Sequence, residues 1–578
     1  MPRRGGKVHI ATTRRHYKGN EYTTTLLRRS YREGGKVKNE TLGNLSHLPA
    51  EVIDGLRAML AGRRLVDLDQ DFEILRSLPH GHVAAVLGVL RDLGLERLIA
   101  RERCRERDLV VAMICQRLLD PCSKLSTTRL VHQTTLALEL ELGDVGDVGE
   151  AELLAAMDWL YARQERIEAA LARRHLQGEG YVLYDLSSSY VEGRCCELAE
   201  IGYSRDGKPG KAQISYGLCC APEGQPVSIE VHAGNTGDPT TLSPAVERLK
   251  DRFGIEHLVF VGDRGMITEA RIKVLKEQGV GFITALRAPQ IQALTLAPDF
   301  QLSLFDERGL CEVSSPQFAG ERLIICRNPA VAAERARKRE ELLARTEQDL
   351  AKVKQMVDGE RGKLKHASAG KIGERAGRVV NRRKMAKHFT LQISDGSFDY
   401  QRNEAQIDQE ALFDGIYVIR TAEPQQRIGS EAVVRAYKQL KVNERAFRTM
   451  KTPLEIRPIY HRLEDRVRAH AFICMLACYV QFELERRLAP LLYTDDTPLS
   501  AADPVAPASR SPQAAAKAGS GRTANGHVAH SLEDLLSELG TLCRNDVRIG
   551  EHGHTFPRLT TATELQASAF ELLGIKPK

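Results

Sequence analysis

The chain has 578 residues, of which 42% are hydrophobic and 28% are charged. At roughly 150 residues per domain this length accommodates three or four folding units, and the composition is that of a globular protein. The longest apolar stretch, residues 469–482, is shorter than a bilayer span, and the basic N-terminus lacks the apolar segment of a signal peptide. We therefore expect a cytoplasmic protein with no membrane partner.

Positive charge is concentrated in two blocks. The net charge is only +7, but residues 1–40 carry eleven Lys and Arg against three acidic residues, and residues 331–390 carry seventeen against eight. Clustered cations favour a polyanion, because binding releases condensed counterions. The alternative is a solvated surface whose cations pair with acidic residues of the same helix. Charge alone leaves both interpretations open.

The chain is predicted to begin with strands. Hydrophobic and polar residues alternate over 8–45, with breaks at Gly19 and Gly34, so residues 1–48 are predicted to form a small basic β unit. From 49 to 178 the apolar residues recur with the period of helices. This second region is predicted to be a helical domain.

The period changes again at Tyr181. Three strands are predicted, followed by a helix and a short strand: 181–192, 214–220, 227–233, then 242–252 and 258–263. Three strands followed by an alternation of helix and strand predict a mixed sheet with helices packed against it. Residues 179–289 form the first part of this core.

Residues 290–421 interrupt the core and are predicted to be a basic insertion of strands and one long charged helix. Long helices then return over 422–492, which we assign to the second part of the core. Residues 493–530 are rich in Ala, Ser, Pro and Gly and are predicted to be a flexible linker, followed by a tail segment over 531–578. A chain ending near Pro490 is therefore expected to fold.

Two aspartates stand out in the predicted sheet. Asp185 lies inside an apolar strand, and Asp263 ends another. A buried carboxylate is costly unless a cation or hydrogen bonds meet its charge, although a single aspartate at a strand end is more often a turn or cap residue. Two carboxylates brought together on one sheet repel each other unless a divalent metal lies between them. The pair therefore indicates a candidate metal site.

A third acidic residue lies in a predicted helix, between cations. At 100° per residue, one face within about 80° carries Tyr437, Lys441, Glu444, Arg448 and Lys451. An exposed helix whose glutamate pairs with its neighbours would have this pattern. The same stripe suits phosphodiester chemistry, with the acid on a metal and the cations on phosphates.

Glu444 is preferred over two other glutamates of this region. Glu431 lies about 220° round the helix from Glu444, on the opposite side. Glu455 follows Pro453, which is expected to end the regular helix.

The order Asp185, Asp263-Arg264-Gly265 and Tyr437 to Lys451 resembles the DDE transposases of bacterial insertion sequences, specifically the insertion sequence 4 group and its 1634-like branch. The stretch 448–477 carries the most specific part of the resemblance. The signature of that family is Tyr, two residues, Arg, three residues, Glu, six residues and Lys. Tyr437, Glu444 and Lys451 match it, whereas Leu440 stands at the Arg position, so Lys441 or Arg445 would take over its phosphate contact.

The resemblance implies an α/β fold, a ribonuclease H-like mixed sheet with flanking helices. A β-rich and helical insertion would interrupt the sheet, and the N-terminal β unit and helical domain would bind DNA. Asp185, Asp263 and Glu444 would be the catalytic residues and would bind two Mg²⁺ ions, with Mn²⁺ as a substitute. DNA contacts would come from a second group of side chains: Tyr437, Lys441, Arg448, Lys451 and Arg264.

The implied function is binding of the terminal inverted repeats of an insertion sequence, followed by metal-dependent DNA cleavage and strand transfer. The implied partners are double-stranded DNA, as element ends and as target, and a second copy of the chain in a homodimer. Two alternatives stay open, a metal-dependent nuclease without strand transfer and an inactive DNA-binding relative.

Overall fold

The computed structural model describes residues 6–63, 72–176, 181–236, 258–295, 309–495, 504–506, 509–550, 553 and 555–578. The helix predicted over 242–252 lies outside these residues. The chain divides into two units, Met1–Leu78 with Cys543–Thr561 and Pro79–Leu542 with Ala562–Lys578. Each unit therefore combines segments that are far apart in the sequence.

Two sheets and one helix are described in the first unit. Its first sheet is β1 (Lys7–Tyr17), β2 (Asn20–Glu33) and β3 (Lys36–Asn44), and helix α1 (Ala50–Leu60) follows. Gly34 and Gly35 both have positive φ, which the tight second hairpin requires and glycine adopts without strain. The second sheet has the order β17-β16-β4, with β4 at Phe72–Pro79, β16 at Cys543–Ile549 and β17 at Thr555–Leu559.

The second unit begins with helices, as their apolar period predicts. They are α2 (Gly81–Asp92), α3 (Leu95–Ile99), α4 (Arg105–Leu119), α5 (Lys124–Leu130), α6 (Leu136–Glu139), α7 (Glu150–Tyr161) and α8 (Gln164–His175). Their buried residues belong to the same hydrophobic core as those of the following sheet. The helical region 49–178 is thus not a separate domain, because α1 belongs to the first unit and the other helices share the core of the second.

A mixed sheet follows the helices, as predicted. Its strands are β5 (Tyr181–Tyr190), β6 (Glu200–Ile201), β7 (Ala212–Cys220), β8 (Pro226–Ala233), β9 (Val259–Val261) and β10 (Gly281–Ala285). The central order is β8-β7-β5-β9-β10, in which β7 is antiparallel to β5 and β8, while β9 is parallel to both β5 and β10. Helices α9 (Glu269–Glu277) and α10 (Ala288–Thr295) follow β9 and β10.

The predicted insertion differs from the observed one at both ends. Its elements are β11 (Leu310–Val313), β12 (Arg322–Arg327), α11 (Pro329–Asp358), α12 (Ala369–Arg382), β13 (Phe389–Ser394), β14 (Ser397–Arg402), α13 (Glu404–Ala411) and β15 (Ile416–Thr421). β15 pairs with β10 and β12 pairs with β15, so both strands extend the main sheet. Residues 323–326 are fully buried, and such an apolar strand needs neighbours on both sides. The part with its own core runs only from α11 to β14.

Three helices complete the core: α14 (Ser430–Lys438), α15 (Lys441–Lys451) and α16 (Glu464–Leu488). Helix α16 with its short extension, Glu464–Leu491, is long and apolar enough to cross a membrane by length and composition alone. In this fold 83% of its apolar window is buried inside the protein, as expected of a central core helix.

The C-terminal region is folded where the structure describes it. Its helices are α17 (Pro512–Ser520), α18 (Leu532–Gly540) and α19 (Glu564–Leu573). The linker prediction is wrong for α17, because Lys517 is buried and its Nζ donates to the carbonyl oxygen of Ala489 at 2.9 Å. The tail prediction is wrong too, since Leu539 and Phe570 are buried in the main core. A chain ending near Pro490 would lose this packing and is not expected to fold as the whole chain does.

Candidate active site

The two aspartates lie on, or just after, neighbouring parallel strands. In the parallel pair β5 and β9, Leu183 is opposite Val261, the last residue of β9. Asp185 follows Leu183 by two positions within β5, and Asp263 follows Val261 by two positions in the turn after β9. Adjacent strands are roughly 5 Å apart, which brings two carboxylates to one edge of the parallel part of the sheet.

The environment of Asp185 disfavours its negative charge. Burial raises the pKa of Asp185 to about 7, and the charges of Asp263 and Glu444 act in the same direction. A hydrogen bond from the Leu186 backbone N–H, at 2.8 Å, and the charge of Arg205 lower the pKa, but they do not compensate. The three acidic residues are therefore electrostatically coupled, as a shared site requires.

Asp263 also closes a turn. Its Oδ1 accepts hydrogen bonds from the backbone N–H groups of Gly265 and Met266, the latter at 3.1 Å. The turn role that is common for an aspartate at a strand end is thus present. Its other oxygen, Oδ2, accepts no hydrogen bond from the residues that the structure describes, so it remains available to a ligand.

Helix α15 brings Glu444 to the sheet through its neighbour Asn443. The fully buried Asn443 side chain donates from Nδ2 to the carbonyl oxygens of Leu183 and Leu218, each at 3.1 Å. Leu218 is the β7 residue opposite Asp185. Asn443 therefore fixes the first turn of α15 against β5, which carries Asp185, and against its neighbour β7.

The predicted single face from Tyr437 to Lys451 is wrong in one respect. The helix is interrupted at residues 439 and 440, where the backbone N–H groups of Leu440 and Asn443 bond three residues back instead of four. Tyr437 lies on α14 and is half-buried, whereas Glu444 lies on α15 and is exposed. The charge of Asp263 and burial both raise the pKa of Tyr437, which places this hydroxyl near the acidic residues.

Lys451 is already paired within the protein. Its Nζ donates to Oδ1 of the buried Asp206 at 2.8 Å, and Arg457 contacts the same oxygen. The backbone N–H of Tyr190, the last residue of β5, donates to the other oxygen at 3.3 Å. Asp206 thus connects the end of α15 to the strand that carries Asp185.

The remaining predicted DNA contacts are exposed. Arg264, Lys441 and Arg448 form no ion pair with any residue that the structure describes. Arg445, the other candidate for the missing arginine of the signature, contacts Glu485 instead. Glu444 forms no ion pair with the flanking cations in the described part of the chain, contrary to the surface-helix interpretation.

The basic block over 331–390 is partly neutralised by its own acidic residues. Arg337 and Lys338 pair with Glu334, Arg345 pairs with Glu341, and further pairs follow along α11 and α12. This is the solvated-helix alternative for those cations. Arg335 is exposed and forms no ion pair among the described residues, and it lines a cavity of about 360 Å³ together with Arg264 and Tyr437.

The donor set fits a hard divalent cation in its chemistry, since carboxylate oxygens are the ligands that Mg²⁺ prefers. Among the residues described, no three His, Cys, Asp or Glu side chains lie close enough together to hold a metal ion. Asp185 is held by β5 and Asp263 by the turn that follows β9, while the exposed Glu444 has the longer side chain. The charges of Asp263 and Glu444 thus act on Asp185, but the three carboxylates do not converge on one point.

Three residues of this region were not identified from the sequence. Asn443 stands next to Glu444 in a polar helix, and Asp206 and Arg205 lie in a polar loop after β6. The backbone N–H of Arg205 donates to the Ser188 side chain at 3.0 Å. Polar residues in polar segments give no burial signal in a sequence, so only the tertiary contacts distinguish them.

Comparisons with known proteins identify the family. The family model described as "Transposase DDE domain" matches residues 192–480, half of the chain, and "IS1634 family transposase, N-terminal domain" matches residues 10–67. No curated protein matches the chain. Among solved structures, a piggyBac transposase synaptic complex with hairpin DNA is similar at 9% identity and a TM-score of 0.30, over 80% of this chain and 76% of that one.

The chain belongs to the DDE transposases, and its residues 10–67 are similar to the N-terminal domain of IS1634 family transposases. It is therefore a DDE-type DNA transposase, and DNA is the partner that this family implies. The first match includes Asp263 and Glu444 but begins after Asp185.

Proposed function

We propose that this transposase binds the terminal inverted repeats of its insertion sequence and catalyses metal-dependent cleavage and strand transfer there. Asp185, Asp263 and Glu444 are the proposed ligands of two Mg²⁺ ions, with Mn²⁺ as a substitute. The observation that carries the proposal is the position of Asp185 in β5 and of Asp263 two residues after β9, the strand that is parallel to β5. The coupling of Glu444 to Asp185 supports the third assignment.

The sheet supports a ribonuclease H-like core. Three antiparallel strands, β8, β7 and β5, are followed by two strands parallel to β5 in the spatial order 3-2-1-4-5. In this arrangement the first acidic residue lies on the central strand and the second follows the adjacent parallel strand. The positions of Asp185 and Asp263 agree with it.

The protein's own residues perform binding and orientation. Bound divalent cations would activate the attacking hydroxyl and stabilise the leaving oxygen of the phosphodiester. Asp185 and Asp263 hold fixed positions on the sheet, and Asn443 orients the helix that presents Glu444. Ligation also explains why a carboxyl whose pKa is near 7 is kept there, since a cation favours its ionised form.

DNA would lie across the exposed cations around these acidic residues. Lys441 and Arg448 on α15 and Arg264 after β9, which form no ion pair with the residues described, would offer their charges to phosphates. Lys451 acts differently in this proposal, because its pairing with Asp206 makes it a positioning residue for α15.

Strand transfer joins two element ends to a target, which calls for more than one catalytic centre. We therefore propose a homodimer on double-stranded DNA, acting in the cytoplasm at the bacterial nucleoid. Light scattering of the purified protein with and without end DNA measures the mass, and a complex containing one protein chain would contradict the dimer.

The test of the active site is cleavage of a duplex that carries one element end. Asp185→Asn, Asp263→Asn and Glu444→Gln should each lower Mg²⁺-dependent cleavage by on the order of 10³-fold or more, while DNA binding persists. Glu431→Gln is the matched control, since Glu431 faces Arg435 on α14, and it should cut at the wild-type rate. Loss of activity in the control with retention in Glu444→Gln would refute the third ligand.

The products identify the reaction. Joined strands establish a transposase that completes strand transfer. Nicked ends without joining indicate a nuclease, and binding without cutting indicates an inactive relative.

A further inference from the structure

A second site of concentrated charge lies in the same unit, away from the acidic residues. It is a cavity of about 440 Å³ between α4, α5 and α7 on one side and residues 455–470 on the other. Its charged and titratable lining is mostly cationic: Arg117, Lys124, Arg457, Arg462, Arg466, His461 and His470, against Glu150 and Glu455. We call it the cationic cavity.

Two of its cations are buried without a carboxylate. Lys124 is 6% exposed and Arg117 is 7% exposed. The Arg117 guanidinium donates to the carbonyl oxygens of Cys122, Leu454 and Glu455. Lys124 has no hydrogen bond or ion pair with any residue that the structure describes. A largely buried ammonium without a partner is costly, and an anionic ligand in the cavity would stabilise its charged form.

The other side chains of the cavity do not neutralise this pair. Arg457 and Arg466 are paired with Asp206 and Asp158, which do not line it. Neither glutamate of the lining forms an ion pair with Arg117 or Lys124 among the described residues.

The pKa values of the two histidines of the cavity also reflect its burial and its positive charge. Burial and the charges of Lys124 and Arg117 lower the pKa of His461 to about 3. The same causes lower the pKa of the buried His470, whose Nε2 lies 3.1 Å from the Ile456 carbonyl oxygen. Both imidazoles are therefore neutral beside uncompensated positive charge.

We propose that the cationic cavity binds a phosphate group of the DNA strand through Lys124, Arg117 and Arg462. Arg462 is exposed at its rim and forms no ion pair in the described part of the chain. This inference rests on the proposed function for the identity of the strand, but the affinity of the cavity for phosphate is independent of catalysis.

The position of the cavity favours DNA as the source of the phosphate. Ile459 pairs with Val191, directly after β5, and so continues the sheet from the strand that carries Asp185. Six residues of extended chain from Asp185 to Val191 span roughly 20 Å, a distance of several nucleotides along a bound strand. Tyr460, 70% exposed, marks the opening to solvent.

The experiment compares Lys124→Met, which keeps length and removes charge, with Lys273→Met. Lys273 is exposed on α9, outside the cavity, and contacts only Glu277 among the described residues. The first measurement is thermal unfolding of the full chain in inorganic phosphate against chloride of equal ionic strength. We expect phosphate to raise the Tm of the wild type and of Lys273→Met, and to leave that of Lys124→Met unchanged.

The second measurement is the salt dependence of binding to duplex end DNA. Loss of one phosphate contact should lower the slope of log affinity against log salt by about 0.9 and weaken binding roughly tenfold. Arg462→Gln, at the exposed rim, is the second variant and should weaken DNA binding in the same way. It keeps the test available if Lys124→Met folds poorly.

Each outcome decides the inference. Phosphate stabilisation with an unchanged DNA slope would mean a free phosphate ligand and overturn the DNA source. No response to phosphate and no change in slope would overturn the site itself. A wild type that responds to phosphate but never cuts end DNA would leave the cavity standing and refute the proposed reaction.

Discussion

The acidic site, formed by Asp185, Asp263 and Glu444, and the cationic cavity each bring groups of like charge together, but the charges have opposite sign. At the acidic site, Asp185 is held near two other carboxylates with too little positive charge around it. In the cavity, Lys124 is held near Arg117 without a carboxylate partner among the residues that the structure describes. Both regions keep like charges together at a cost in stability. Our two proposals complete each region with a ligand of opposite sign, a metal cation in one and a phosphate in the other.

Asp206 contacts residues of both regions, and its charge is neutralised by cations of the protein itself. Its carboxylate is 1% exposed and contacts both Lys451 on α15 and Arg457 in the cavity lining. This group needs no ligand, because its charges are met within the protein. Asp206 therefore stabilises the fold, whereas Asp185 and Lys124 are the residues that we propose bind a ligand.

The comparison predicts opposite responses of stability to pH, which is the largest effect we expect. Folded Asp185 keeps its proton to about pH 7 instead of 3.8, so the folded state binds more protons between these values. Its contribution to the free energy of unfolding therefore falls as pH rises from about 4 to 7. At about 1.4 kcal/mol per pKa unit, the change is roughly 4 kcal/mol.

Lys124 should act in the opposite sense. Burial, reinforced by the charge of Arg117, lowers its pKa from 10.5 to about 7, so the unfolded state binds more protons between these values. Its contribution to stability rises over that range. Urea unfolding of the wild type, Asp185→Asn and Lys124→Met, without metal or phosphate, measures both trends. In each variant the free energy of unfolding should lose its pH dependence only over the interval of the substituted residue, about 4 to 7 for Asp185 and about 7 to 10.5 for Lys124. An unchanged pH dependence in both variants would contradict the comparison.

Asp206→Asn should destabilise the protein by about 3 kcal/mol, because it leaves the half-buried Lys451 and Arg457 beside a neutral amide. Chemical denaturation measures the loss. The control is Asp54→Asn, which removes the partner of Arg57 in an exposed pair and should cost less than about 1 kcal/mol. Equal losses in the two variants would show that Asp206 is not a buried connection.

Asn443→Ala should have the smallest effect on stability, about 1 to 2 kcal/mol for two lost hydrogen bonds. Its larger signature should be a lower cleavage rate at saturating DNA with unchanged affinity, since Glu444 loses its fixed support. Asn381→Ala, exposed on α12, serves as the control and should leave both quantities unchanged. Weaker DNA binding in Asn443→Ala, without a slower cleavage step, would contradict a positioning role.

The sequence predicts what depends on local pattern. The strands around Asp185 and Asp263 are short apolar runs, so their existence and the position of the acidic residues within them can be read directly. Pairing between β12 and β15 joins segments almost a hundred residues apart, and no local pattern specifies it. The interruption of the helix after Lys438 likewise has no proline or glycine to signal it.

No local sequence pattern predicts the cationic cavity, for the same reason. Arg117 and Lys124 come from the helical region, while Arg462 and His470 lie more than three hundred residues later. Each alone is an ordinary charged residue near a helix. Only their burial around one space distinguishes them.

The sheet formed by β4, β16 and β17 constrains how the protein is made. β4 leaves the ribosome early, but its partner β16 follows after roughly 460 more residues, which at typical elongation rates takes about half a minute or more. During that time β4 has an unpaired edge, with Phe72, Ile74 and Leu75 exposed on it even in the finished fold. The first unit is therefore completed after most of the catalytic core has been synthesised, and a gene copy that has lost its 3′ end encodes a chain whose first unit lacks two of its strands.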